Sequence, residues 1–302
     1  MVDTTDEWIV QRSGISSRHI ASPHQKTSDL AIAAGRMALE RSALSAEDIA
    51  GGIDGVIVAT TTPDQTFPSV AVRVQSALGL KPGLAFDVQA VCTGFVYALS
   101  IANNFITTGQ ARRILVIGAE KMSSVVDWTD RTTCVLFADG AGAVLLEAQD
   151  GAGTLADSGV HSTHLYANGH QADLLHTSGG PSSTGTSGHI LMQGRDVFKY
   201  AVQYMADVVQ ETLDYNAITA QEIDWLVPHQ ANIRIIEATA KKLDLPMEKV
   251  IVTVDHHGNT SAASIPLALH EAVADGRIQR GDLLLLEAMG GGLTWGSALV
   301  RF

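Results

Sequence analysis

The sequence predicts an α/β protein built from two related halves, and three observations carry that prediction. Apolar runs of strand length alternate with stretches of helix length. The composition, 46% hydrophobic with 28 glycines and only 5% aromatics, suits helices packed closely on sheets. Short patterns also recur about 170 residues apart: Ile53-Asp54 as Ile223-Asp224, Phe86-Asp87-Val88 as Val254-Asp255-His256, and Ile114-Leu115-Val116-Ile117 as Leu283-Leu284-Leu285-Leu286. At 302 residues the chain divides into halves of 1–150 and 151–302.

Each element follows in order from local pattern. Residues 28–42 and 69–78 read as helices, and the continuous apolar runs 56–59, 84–88, 114–118 and 141–146 read as strands buried on both faces. Residues 92–99, small and apolar, form a buried helix directly after the strand 84–88. The segment 151–188 is the least regular part of the chain, with a Gly/Ser/Pro loop at 178–185. In the second half, 224–227 and 283–287 read as strands. Residues 231–243 and 265–273 read as helices, and Arg195 and Lys199 open another.

Composition also excludes function classes. A net charge of −12 opposes association with nucleic acid or an anionic membrane surface. Two cysteines make no disulfide framework, and the sequence shows neither a leader pattern nor an apolar run long enough to span a bilayer, so a reducing, cytoplasmic setting is expected. Walker, G-x-G-x-x-G and G-x-S-x-G patterns are absent. His161, His164, His170 and His176 match no common zinc spacing, so no metal site is expected.

The chemistry-bearing residues cluster after strands. Cys92 heads a helix, where unpaired N–H groups and the macrodipole favour a thiolate and lower its pKa. Taken alone, it reads equally as a small packing residue; Cys134 reads only as core. His229, in Pro228-His229-Gln230-Ala231-Asn232, lies at a strand-to-helix corner, and Asn259, in His257-Gly258-Asn259-Thr260-Ser261, precedes a helix. A buried structural histidine and a helix N-cap remain open for those two. The duplication puts Asn259 at the place matching Cys92, with His229 beyond a third strand end. Polar groups beyond the carboxyl ends of strands converge on a ligand crevice. Gly290-Gly291-Gly292 can bring backbone N–H groups to an oxyanion, or serve only as a turn. Arg234, Lys241 and Lys242 on one helix, with Arg195 and Lys199 on another, make a basic patch that reads as a solvated face or as a seat for an acidic partner.

These motifs, with Val2-Asp3-Thr4-Thr5-Asp6-Glu7-Trp8-Ile9, Arg12-Ser13-Gly14-Ile15, Ala90-Val91-Cys92-Thr93-Gly94-Phe95, Phe137-Ala138-Asp139-Gly140-Ala141-Gly142 and Gly290-Gly291-Gly292-Leu293-Thr294-Trp295-Gly296, resemble the β-ketoacyl-[acyl-carrier-protein] synthase III family over residues 2–302. The resemblance implies the thiolase fold, a duplicated α/β unit in five αβαβα layers, acting as a homodimer without a cofactor. It implies condensation of a short acyl-CoA with malonyl-[acyl-carrier-protein], initiating fatty acid synthesis through an acyl-Cys92 intermediate.

By the same resemblance, Cys92, His229 and Asn259 are catalytic and the Cys92 and Gly291 N–H groups form an oxyanion hole. Trp8, Arg12, Arg131, Ala231 and Asn232 bind coenzyme A, and Gln230, Arg234, Lys241 and Lys199 meet the carrier protein. Phe67 reaches the partner's acyl pocket, and Met289 stands in the acyl site where relatives carry Phe; His256 stands where they carry Arg. Family members carry a further strand and loop ahead of position 1, on the order of two dozen residues against a typical strand of five or six. An unpaired sheet edge is therefore expected in the first half. The rivals are a related thiolase-fold acyltransferase of secondary metabolism or longer primers, and a non-catalytic carrier-protein-binding paralogue.

Overall fold

The structure is a computed structural model that describes residues 2–302. Before the first sheet come α1 (Asp6–Ser13), α2 (Thr27–Glu40) and α3 (Ala46–Gly52), then β1 (Gly55–Ala59), α4 (Val70–Ala77) and β2 (Leu84–Val88). A 3-10 turn, Val91–Thr93, leads into α5 (Gly94–Thr107), followed by β3 (Arg113–Lys121) and β4 (Asp139–Glu147). The second half runs β5 (Gly159–Ala167), β6 (Leu175–Thr177), β7 (Ile190–Met192), α6 (Gly194–Asn216), β8 (Trp225–Pro228), α7 (Ile233–Lys242) and α8 (Val254–His257). A second 3-10 turn, Ser261–Ala263, leads into α9 (Ser264–Ala274), β9 (Leu283–Gly290) and β10 (Thr294–Arg301).

Two sheets, ordered β2-β1-β3-β4 and β5-β10-β9-β8, form the frame, and β6 with β7 makes a small hairpin. Alternation along the strands produces the layers. On β1, Val56 and Val58 face α2 and α4, whereas Ile57 and Ala59 face the central layer of α5 and α9. On β9, Leu284 and Leu286 face that same central layer, and Leu283 and Leu285 face α6 and α7. The five layers are thus α2/α4, sheet, α5/α9, sheet, α6/α7, which is why the inner strands β1, β3 and β9 read as apolar runs. Gly118 brings the first sheet onto the 3-10 turn before α9, since a Cβ there would meet Ala262 O at 2.2 Å. The segment around α1 also reaches the other half: Ile9 and Ile15 pack with Val209, Leu226 and Ile236 of the second.

The repeat is real at its anchors and wrong at one match. Asp54 accepts Arg113 N–H at 3.1 Å and Asp224 accepts Leu283 N–H at 2.8 Å, the same aspartate-to-strand tie at an offset of 170. Val254-Asp255-His256, matched above to a strand, forms α8 instead, and Val250 takes the strand's place by bridging Leu226. The two 3-10 turns correspond: Val91 has φ 49° and Ser261 φ 50°, both left-handed, so Cys92 corresponds to Ala262 and not to Asn259. In the first sheet β4 is the outer strand and half-buried along most of its length, whereas its counterpart β10 is covered by β5.

Candidate active site

Cys92, His229 and Asn259 line one cavity, joined there by Phe137, Leu175, Met192, Met205, Ala231, Asn232 and Met289. The left-handed Val91 turns the chain from β2 so that Cys92, 3% exposed, sits immediately ahead of α5. Gly290 at the end of β9 packs against it, and a Cβ at 290 would meet Cys92 N at 2.6 Å. Burial pushes the Cys92 thiol up to about 12, with the polar Ser261 hydroxyl pulling the other way and the Glu120 carboxylate adding to the rise. The expectation of a lowered pKa is overturned. The helix start is present, but a buried charge costs more than the helix end returns.

His229 is held by its neighbours in one protonation state. Its N–H donates to Glu287 O on β9 at 2.8 Å, and Nδ1 lies 2.6 Å from Ser264 Oγ at the head of α9. Burial drives its pKa down to about 3, so the ring is neutral. Ser264 Oγ also accepts Gln230 N–H at 3.4 Å; donation of its own proton to Nδ1 would leave the ring proton on Nε2. Asn259 is fixed as tightly. Its N–H donates to Leu136 O and its carbonyl accepts Ala138 N–H, both at 2.9 Å. Its Oδ1 accepts Ser261 N–H at 2.9 Å, so the side-chain NH2 is the end left for the cavity. It opens a turn, as an N-cap residue would, and also presents a donor.

Sequence reasoning missed Ser261, Ser264 and Glu120. Glu120, at the end of β3 and 0% exposed, accepts from Thr61 N–H at 3.1 Å, Thr62 Oγ1 at 2.6 Å and Ser261 Oγ at 3.0 Å, with Thr60 and Thr61 hydroxyls beside them. The run Thr60-Thr61-Thr62 after an apolar strand was the visible signal. Gln230, expected on the carrier-protein surface, is instead 1% exposed. Its amide donates to Pro228 O at 2.8 Å and Ile251 O at 3.0 Å, while its oxygen accepts Thr253 and Val254 N–H groups, so no polar group remains for a partner. The histidines at 161–176 form no cluster among the described residues. His256, His257 and Glu271 do come together, with Glu271 ion-paired to Arg277 and within reach of both rings.

Residues 86–169 match the family described as 3-oxoacyl-[acyl-carrier-protein] synthase III, and residues 213–302 match its C-terminal counterpart. The β-ketoacyl-[acyl-carrier-protein] synthase III of Rhodospirillum centenum is 62% identical over 302 residues, 100% of this chain and 92% of that protein. The chain belongs to the synthase III family. It is a condensing acyltransferase of the thiolase fold. The crystal structure of the synthase from Aquifex aeolicus superposes with a TM-score of 0.92 at 48% identity, covering 100% of this chain and 92% of that one. The priming β-ketosynthase of the R1128 polyketide pathway superposes with a TM-score of 0.90 at 34% identity, covering 99% and 89%.

Around the synthase's cavity the other expected residues fall into three groups. Two guanidiniums lie over the Trp8 ring, Arg12 at 5.7 Å and Arg131 at 5.0 Å from its centre, and Asn232 ties this group to the cavity by donating to Arg12 O at 3.2 Å. Arg234, Lys241 and Lys199 are exposed on α7 and α6, with Arg234 also holding Gln11 O at 2.9 Å. Met289 lines the cavity, whereas Phe67 is 80% exposed and does not line the cavity of its own chain. Gly291, buried, follows the Gly290 contact with Cys92.

Proposed function

We propose that the synthase condenses a short acyl-CoA with malonyl-[acyl-carrier-protein] in two half-reactions, initiating fatty acid synthesis. In the first, the Cys92 sulfur bonds to the thioester carbonyl carbon, the bond to the CoA sulfur breaks, and CoA leaves as a thiol. In the second, the malonyl group loses carbon dioxide and its enolate carbon attacks the acyl-Cys92 carbonyl, releasing the Cys92 sulfur and the 3-oxoacyl-carrier-protein. The observation that carries this reading is the convergence on one cavity of Cys92, a neutral His229 whose Nδ1 is engaged by Ser264, and Asn259 with its Oδ1 engaged, which leaves ring Nε2 and the amide NH2 as the donor pair. Two neutral donors stabilise an enolate oxygen without first being neutralised by the malonyl carboxylate. The Cys92 and Gly291 N–H groups hold the second oxyanion. The thiol, imidazole and amide supply every bond change, so the scheme calls on no metal or redox cofactor.

Trp8, Arg12 and Arg131 then clasp the CoA nucleotide, with Ala231 and Asn232 along its pantetheine. Arg234, Lys241 and Lys199 receive the acidic carrier protein. The half-buried outer strand β2, beside the exposed Phe67 and Val72, supports a homodimer joined along that edge. No described helix is long and apolar enough to cross a membrane, and both cysteines are unpaired, which fits work in the cytoplasm.

Intact-mass spectrometry after mixing with acetyl-CoA and octanoyl-CoA tests the scheme and the primer together. An acetyl adduct on Cys92, absent in Cys92→Ala, is expected. No adduct from any primer, or an undiminished adduct in the variant, sinks it; preference for octanoyl-CoA supports the longer-chain rival.

A further inference from the structure

The helical turn ahead of Asn259 carries a group of side chains that the condensation does not use. His256 and His257 end α8, and Glu271 reaches them from α9, 15 residues beyond His256. Both rings bring Nε2 to one oxygen: Glu271 Oε2 lies 2.6 Å from that of His256 and 3.4 Å from that of His257. One nitrogen or oxygen of each residue lies within 4.8 Å of the other two, and this is the one such set of three among the described residues. None of the three lines the catalytic cavity.

The His256 ring meets a carboxylate at each nitrogen, Asp255 Oδ1 at 2.9 Å from Nδ1 and Glu271 at Nε2. A neutral imidazole has one N–H, so satisfying both carboxylates takes a second positive centre, a proton or a metal ion, between Nε2 and Oε2. Burial opposes a charged His256, yet the bonds to Glu271 and Asp255 outweigh it and raise its pKa, which makes the proton the competitor of an ion. His257 is the reverse: burial and the adjacent His256 lower its pKa, so it keeps a lone pair to give. Asp255 holds Nδ1 as a carboxylate commonly does behind a metal-bound histidine, and Nε2 is left as the ligating atom. Charge agrees. Asp255, Glu271 and Asp275 surround one guanidinium, that of Arg277, 2.7 Å from Asp275 and 3.3 Å from Glu271 Oε1, so two negative charges are left over when the rings are neutral.

We propose that His256 Nε2, His257 Nε2 and Glu271 Oε2 bind one zinc ion, with water as the fourth ligand, and that this ion is structural. Two imidazoles and a carboxylate are a zinc donor set, whereas magnesium and calcium take oxygen ligands. Ligands on a tetrahedral zinc with bonds of about 2.0–2.1 Å stand roughly 3.3 Å apart. His257 and Glu271 already have that spacing; the closer His256–Glu271 pair opens as the ion replaces the shared proton, by rotation of partly exposed side chains. The displaced proton passes to solvent. Binding fastens α8 to α9 on either side of Asn259 and adds nothing to the bond changes at Cys92.

The test titrates the full chain, stripped with a chelator, with zinc chloride at about pH 7.5, where unperturbed histidines are neutral, and follows calorimetric binding and Tm. One zinc per chain is expected, with Tm raised by about 4 °C at zinc a hundredfold above Kd, and no rise from magnesium or calcium chloride. Affinity should fall more than about tenfold in His256→Gln and in His257→Gln. Cys92→Ala removes the thiol of the other set able to take zinc and should bind as wild type does. The histidine variants keep the Glu271–Arg277 pair and report even if Glu271→Gln fails to fold. Cobalt(II) chloride adds a signature: visible bands of tetrahedral coordination in wild type, absent in His256→Gln. No stoichiometric zinc uptake, uptake or cobalt bands unchanged in the histidine variants, or uptake lost in Cys92→Ala overturns the proposal.

Discussion

Ser264→Ala separates the two half-reactions, because it acts on the tautomer of His229 and on nothing that touches the acyl group. The hydroxyl is 2.6 Å from Nδ1 and 2% exposed, so no water replaces it easily. Without it the buried Nδ1 lone pair is unsatisfied, which costs about 1–3 kcal/mol and removes the preference for a proton on Nε2. A ring that turns a lone pair to the cavity repels the enolate oxygen it should stabilise. Converted to rate, that cost is a fall of roughly 5- to 150-fold in decarboxylation. The assay is carbon dioxide release from malonyl-carrier-protein under single-turnover conditions, beside the mass of the acyl-Cys92 adduct formed from acetyl-CoA. Acylation should stay within about threefold of wild type. Decarboxylation unchanged within about twofold, or acylation falling in step with it, would refute the tautomer argument.

Other outcomes follow from the same geometry. Because burial holds His229 neutral down to about pH 3, its proton loss leaves no acid limb near the ordinary histidine pKa; a decarboxylation profile bending there, lost in His229→Ala, contradicts this. Gln230→Ala strips two carbonyls and two N–H groups of their buried partner, so calorimetry should find Tm lower by roughly 6–10 °C, with KM for malonyl-carrier-protein little changed at permissive temperature. A raised KM without a Tm loss would restore Gln230 to the carrier-protein surface. Lys241→Glu with Lys199→Glu should raise KM for malonyl-carrier-protein about tenfold at low salt and far less at high salt, leaving acylation by acetyl-CoA untouched.

Much of the frame is legible because its signals are local. Unbroken apolar runs marked β1, β3 and β9, since each is covered on both faces. Ser69 and Asn232, both read from the sequence as already helical, instead cap α4 and α7 with their own side chains. The mismatch at 254–256 has a physical cause too: an apolar-acidic-polar triplet is too short to distinguish a strand from one helical turn, and Val250 pairs with Leu226 in its stead. Gln230 was misjudged because a glutamine beside a catalytic histidine looks the same in sequence whether it faces solvent or spans two loops.

By itself the sequence determined strands β1 to β4, β8 and β9, helices α2, α4, α5, α7 and α9, and the placing of Cys92 and His229 after strands, since periodicity and turn chemistry are carried by neighbours along the chain. The tertiary structure alone decided the protonation of those groups. Burial raises the pKa of the Cys92 thiol and lowers that of His229, whose Nδ1 meets Ser264, and Asn259 turns its NH2 inward because the Ser261 N–H holds its Oδ1. Burial and long-range hydrogen bonds set a pKa or a tautomer, and neither exists until the layers pack.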